Sequence, residues 1–155
     1  MIVEKLAQCI AQDMTFDQIC KTIEDYQKKT GLIFMLESLK CLAANGRVSP
    51  TVAKIAGVLG IRVVGKASEE GTLQQMHKCR GETKSLSTLV ACLKELGLNR
   101  GKVRIAHCMN PGAANTLKTM ILKVFPWSDV QIHSCRGLCS YYAEKGGMLI
   151  GFEKI

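Results

Sequence analysis

The chain is short of everything that would give it an easy label. It has three prolines, too few for a proline-stiffened linker or a fibrous repeat. No apolar run approaches the roughly 18 residues a membrane span needs, so no membrane span is expected. The start, MIVEKLAQCIAQDM, lacks the basic region and the unbroken apolar stretch of a secretory leader, because Glu4 and Lys5 interrupt it. That reading places the protein in the cytoplasm. Aromatics make up 5% of the residues and are not interleaved with the basic ones, which leaves no stacking platform for single-stranded nucleic acid. The formal charge of +8 is spread singly from Lys5 to Lys154, with no basic block. Diffuse charge of this kind serves solubility and steering, and no nucleic-acid partner is expected.

What is present is enough for a core. With 155 residues and 47% hydrophobic content the chain can bury one respectable interior. Fourteen glycines and short apolar blocks suit an α/β or α+β domain. Ile2, Leu6, Cys9, Ile10 and Met14 recur at helical spacing, and Thr15 with Gln18 forms a capping-box signature for a second helix that stops at Gly31. The run at 32–36, LIFML, reads as a buried strand, and a helix with Leu39, Leu42 and Ala43 on one side follows it to Asn45 and Gly46. Ser49 and Pro50 are a strong helix start, and the helix after them is apolar on three sides, so it is buried or lines an apolar cavity.

Residues 61–68 and 71–80 read as a hairpin, the second strand alternating loosely around Leu73, Met76 and Cys79. An amphipathic helix carrying Leu86, Leu89, Val90, Leu93 and Leu96 comes next, then a strand at KVRIAHCM, a helix started by Asn110 and Pro111, a strand at VQIHSC, a short helix from about Leu138 to Glu144, and a last strand at MLIGFEK. This order predicts a mixed sheet covered by helices, without internal repeats.

Eight cysteines could suggest disulfides, but most sit in helix or strand patterns among apolar neighbours and read as small buried hydrophobes. His133, Cys135 and Cys139 are the densest cluster of reactive side chains. A tetrahedral zinc site needs a second close pair of ligands, and His107 with Cys108 belongs to a separate strand, so no metal is expected. A Cys/His-dependent enzyme built on Cys135 or Cys139 with His133 is an alternative, but the sequence shows no acidic residue to orient the imidazole. A basic nucleic-acid-binding module is the other alternative. NPGAAN lacks the lysine of a phosphate-binding loop and the glycine triplet of a dinucleotide fold. Arg47, before a helix N-terminus that Ser49 caps, and Arg80, beside Gly81, are candidate anchors for a carboxylate or phosphate.

The stretch LESLKCLAANGRVSPTVAKIAGVLGIRVVGKASEEGTLQQMHKCRG resembles the second domain of the DegV family, which carries a leucine-rich helix, Gly-Arg-Ile-Ser (Gly-Arg-Val-Ser here), an apolar helix, an isoleucine-rich strand and a hairpin ending in Val-Arg-Gly (Cys-Arg-Gly here). The resemblance extends more weakly over nearly the whole chain. It implies a two-domain parent of about twice this length that binds a fatty acid between its domains, in some members as the binding subunit of a fatty acid kinase. Residues 1–14 would then be a helix left over from the preceding N-terminal domain, and 15–155 the C-terminal domain. The carboxylate-holding hydroxyls belong to the missing N-terminal domain, so this part would sheathe the acyl tail, with Ile55 and Val58 on the apolar helix lining it. Arg47 and Arg80 match arginines on the face toward the kinase or the phosphorylated head group. Many members carry His-x-Gly-Pro-Gly near the end, and here Ala143 or Glu144 stands where its histidine would fall. HSCRGLCSYYAEKGG is then a pocket-rim turn with Tyr141 or Tyr142 as hydroxyl donors. The implied function is fatty-acid binding without catalysis or cofactor.

Overall fold

The computed structural model describes residues 1–48, 60–68 and 71–154. Helices α1 (Ile2–Ala11) and α2 (Phe16–Lys28) open the chain. The capping box is formed: Thr15 N–H donates to Gln18 Oε1 at 2.9 Å and Gln18 N–H to Thr15 Oγ1 at 3.5 Å. Strand β1 (Thr30–Leu36) and the five-residue helix α3 (Lys40–Ala44) follow. The apolar helix expected after Pro50, with Ser49, Ile55 and Val58, lies outside the described residues. The predicted hairpin is β2 (Ile61–Ala67) with β3 (Leu73–Arg80).

Next come α4 (Glu82–Glu95), β4 (Lys102–His107), α5 (Pro111–Val124), β5 (Asp129–Ser134), α6 (Gly137–Ala143) and β6 (Met148–Glu153). NPGAAN is a helix start, as its proline suggests: the Asn110 side chain accepts from the Ala113 N–H at 3.4 Å. Helix α6 ends one residue earlier than expected, because Glu144 adopts a positive φ of 53° that no helix can contain.

The six strands form one mixed sheet in the order β3-β2-β1-β6-β4-β5. Only β4 and β5 are parallel, joined by the α5 crossover. The loose alternation in β3 has a structural cause. Val64 pairs with His77 and Gly65 with Gln75, so Met76 is an unpaired bulge residue that reverses the facing of the strand. Leu73 therefore packs on one side of the sheet and Cys79 on the other.

The two faces are covered differently. On the first, Ile33, Met35, Val64, Val103, Ile105, Ile150 and Phe152 pack against Leu86, Leu89 and Leu93 of α4 and Ala114, Leu117 and Ile121 of α5, all buried. On the second, α1 and α2 lie at one end and α3 with α6 at the other. Arg104 of β4 holds α1 down: its Nε and Nη2 donate to the two carboxylate oxygens of Glu4 at 2.8 and 2.9 Å, and Nη2 also donates to Asp129 at 2.8 Å. Arg104 lowers the proton affinity of both carboxylates. Tyr26 of α2 donates to Glu153 at 2.6 Å, and burial, aided by that bond, pushes its phenol up. Helix α1, read from sequence as a remnant of a preceding unit, is tied to β4 by the Glu4–Arg104 ion pair, and its Cys9 is buried.

Candidate apolar cavity on the open sheet face

Between α3, α6 and the second face of the sheet lies a cavity of about 440 Å³. Its floor is Phe34 and Leu36 of β1 and Leu149 of β6; α3 contributes Leu42, the hairpin Leu73, and α6 Leu138, Tyr142 and Ala143. The floor follows from strand alternation. Phe34 and Leu36 point to the second face while Ile33 and Met35 enter the closed core on the first. Gly65 shapes the floor as well: a Cβ there would strike the Phe34 ring and the Gln74 carbonyl, so only glycine lets the ring lie flat on β2.

Two polar contacts fasten α3 to α6 and thereby set the cavity wall. Glu144 accepts from the Cys41 N–H in the first turn of α3 at 3.0 Å. Asn45, just past the end of α3, donates to the Tyr141 hydroxyl at 3.0 Å. Gly147 turns the chain from α6 into β6 at a point where a Cβ would overlap the Ala143 carbonyl.

The residues expected to form the site are only partly brought together. Arg47 and Tyr142 line the cavity. Tyr141 is half exposed and its hydroxyl is turned to Asn45 rather than into the cavity. Arg80 does not reach it, lying seven residues along β3 from Leu73, a separation of roughly 23 Å in an extended strand. Ser49, Ile55 and Val58 lie outside the described residues. At the position matched to a histidine, Ala143 is buried in the cavity wall and Glu144 caps α3 instead. The floor residues Phe34, Leu36 and Leu149 were not anticipated as site residues, although the period-2 pattern of LIFML carries the signal.

A second hollow of about 550 Å³ adjoins the cavity through Thr72 and Leu73 and is more polar, with Lys66, Ser68, Gln74 and Lys154 in its walls. His133 is exposed on β5, and among the described residues no group of three or more His, Cys, Asp or Glu side chains could hold a metal ion. Nor is any helix among them long and apolar enough to cross a membrane. The cavity therefore offers a mainly apolar contact surface, with Arg47 as the one cation among its described lining residues.

A family model described as an uncharacterised protein of the DegV family matches residues 1–154. A DegV domain-containing protein of Streptococcus pyogenes serotype M1 is 41% identical over 153 residues, 99% of this chain and 55% of that protein. Among solved structures, a DegV family protein from Eubacterium eligens loaded with heptadecanoic acid superposes with a TM-score of 0.95 at 44% identity, covering 99% of this chain and 56% of the other. The Streptococcus pneumoniae Fatty Acid Kinase (Fak) B3 protein loaded with linoleic acid gives 0.96 at 40% identity, covering 99% and 55%. The chain spans a little over half the length of these relatives.

Proposed function

The chain belongs to the DegV family, and on that premise we propose that it binds a long-chain fatty acid, sheathing the acyl tail in the cavity between α3, α6 and the open sheet face. The observation that carries this reading is the cavity itself, walled by Phe34, Leu36, Leu42, Leu73, Leu138 and Leu149, with Arg47 among its described lining residues. Burial of methylenes contributes about 0.8 kcal/mol each, so an apolar sleeve of this kind gives affinity without a catalytic group. The protein acts as a carrier, not an enzyme. In this reading the lining residue Arg47 faces the head-group end with Tyr142 beside the ligand, while Ser49, Ile55 and Val58, expected from the resemblance to line the tail, lie outside the described residues.

The relatives' additional length is the place for the N-terminal domain that would close over the carboxylate, with α1 (within residues 1–14) a helix left over from that domain and residues 15–155 the C-terminal domain. Presentation of the bound acid to a fatty acid kinase is the accompanying proposal. It is supported by the similarity to the Fak B3 protein, and Arg80 marks a face for that partner away from the cavity.

Titration of the chain with saturated fatty acids of increasing length tests the sheathing role. Affinity is expected to rise by about 0.8 kcal/mol per added methylene until the cavity is filled, then level off. Affinity that does not depend on length would remove the tail from the cavity and sink the proposal.

A further inference from the structure

Three thiols stand in a row behind the cavity wall, and the lipid-binding reading uses none of them. Cys108 and Cys135 directly follow the parallel β4/β5 register, which ends at His107 paired with Ser134. The Cys135 N–H continues that ladder by donating to the His107 carbonyl at 2.8 Å. The two residues are therefore the first beyond the ladder on adjacent strands, where the strand spacing puts α-carbons roughly 5 Å apart, inside the window of about 4.4–6.8 Å that a disulfide requires. Their side chains point to the same face, since both belong to the cluster under the cavity. Cys108 is buried, and its Sγ–H donates to the Ser140 carbonyl of α6 at 3.6 Å. Cys139, one residue before Ser140, is exposed and lines the cavity. Cys135 packs against the same cluster as Cys108, and burial first, then the Cys108 and Cys139 thiols, pushes its thiol up.

We propose that Cys139, Cys135 and Cys108 form a peroxide-responsive thiol relay, a modification site whose oxidised end state is a Cys108–Cys135 disulfide. Exposure sets the order. The Cys139 sulfur attacks hydrogen peroxide, the O–O bond breaks, water leaves after protonation, and Cys139 becomes a sulfenic acid. The Cys135 sulfur then attacks the Cys139 sulfur; the S–O bond breaks and a second water leaves, giving a Cys135–Cys139 disulfide. Finally the Cys108 sulfur attacks the Cys135 sulfur and releases Cys139 as a thiol. In sum two thiols and one peroxide give one disulfide and two waters. The end state withdraws the Cys108 hydrogen bond from Ser140 and loosens α6, which carries Leu138, Tyr142 and Ala143 of the cavity wall.

The test is peptide mapping by mass spectrometry of the intact chain treated with hydrogen peroxide and then alkylated. The expected product is a Cys108–Cys135 cross-link with the mass of two hydrogens lost, reversed by dithiothreitol, accompanied by faster hydrogen exchange in α6. Cys139→Ser should slow its formation by about tenfold, because the half-buried Cys135 must then meet the peroxide itself. Cys108→Ser should trap the Cys135–Cys139 disulfide. Accumulation of sulfinic acid on Cys139 with no cross-link in the wild-type chain would overturn the proposal, as would a cross-link that forms equally fast in Cys139→Ser.

Discussion

The two faces of the sheet are built from the same strands and do opposite things with them. The first is closed by helices: alternate residues of β1, β4 and β6 pack with the leucines of α4 and with Ala114, Leu117 and Ile121 of α5 in one buried cluster. Among the described residues the second is covered at its ends, by an α1–α2 pair held with charges and by two short helices held with single hydrogen bonds. Between them Leu32 is more than a third exposed, and Leu138 stands out to solvent. One face therefore supplies stability and the other, in the proposed function, a place for a ligand, and substitutions should sort the same way.

The largest effect belongs to the closed face. Leu89→Ala removes a fully buried side chain from α4 and should destabilise the chain by about 3–4 kcal/mol in chemical denaturation, leaving a cavity that its packed neighbours cannot fill. A loss below about 1 kcal/mol would show that this face is not the rigid half.

Arg104 is the main charged anchor of the second face, with side-chain exposure of 11% against 38% for Glu4 and 52% for Asp129. Arg104→Ala should cost about 2 kcal/mol, reduced from a buried-pair value because both carboxylates are solvated. The pH dependence follows in sign. Glu4 and Asp129 bind protons less readily in the folded chain than in the unfolded one, so their contribution is complete above the unfolded carboxylate range of about 4. It is lost as pH falls through their lowered folded values. Unfolding followed against pH should show this acid step in the wild type and a flattened one in Arg104→Met.

Much of this division was legible in the sequence. The Thr15–Gln18 cap, the Asn110–Pro111 helix start, the hairpin and the mixed sheet follow from local chemistry and from period, which act over a few residues. The bulge at Met76 was not legible: a spacing of three in a strand is ambiguous until its partner's register is known. The cavity was still less so, because it joins residues from Phe34 to Leu149 that only tertiary packing brings together. Cysteine is where the composition-based expectation divides. Cys9, Cys79, Cys92 and Cys108 are buried as expected, whereas Cys139 is exposed at the ligand face, where its polarisable sulfur adds little to the core. The resemblance to a family singled out Arg47, which lines the cavity, and Arg80, which does not reach it.

The smallest stability effect should come with a clear loss of binding. Leu138→Glu changes an exposed residue, so the folded state should shift by less than about 0.5 kcal/mol. The same change places a carboxylate in the apolar wall, and fatty-acid affinity should fall about tenfold or more by fluorescence titration. Unchanged affinity would move the ligand elsewhere and merge the two faces into one structural role.

The central claim, that the open face holds a fatty acid, is tested most directly by mass spectrometry of an organic-solvent extract of the purified chain beside that of Leu138→Glu. The account predicts a long-chain fatty acid near one equivalent in the wild-type extract and a marked depletion in the variant. A wild-type extract without fatty acid, or equal amounts from both proteins, would contradict it.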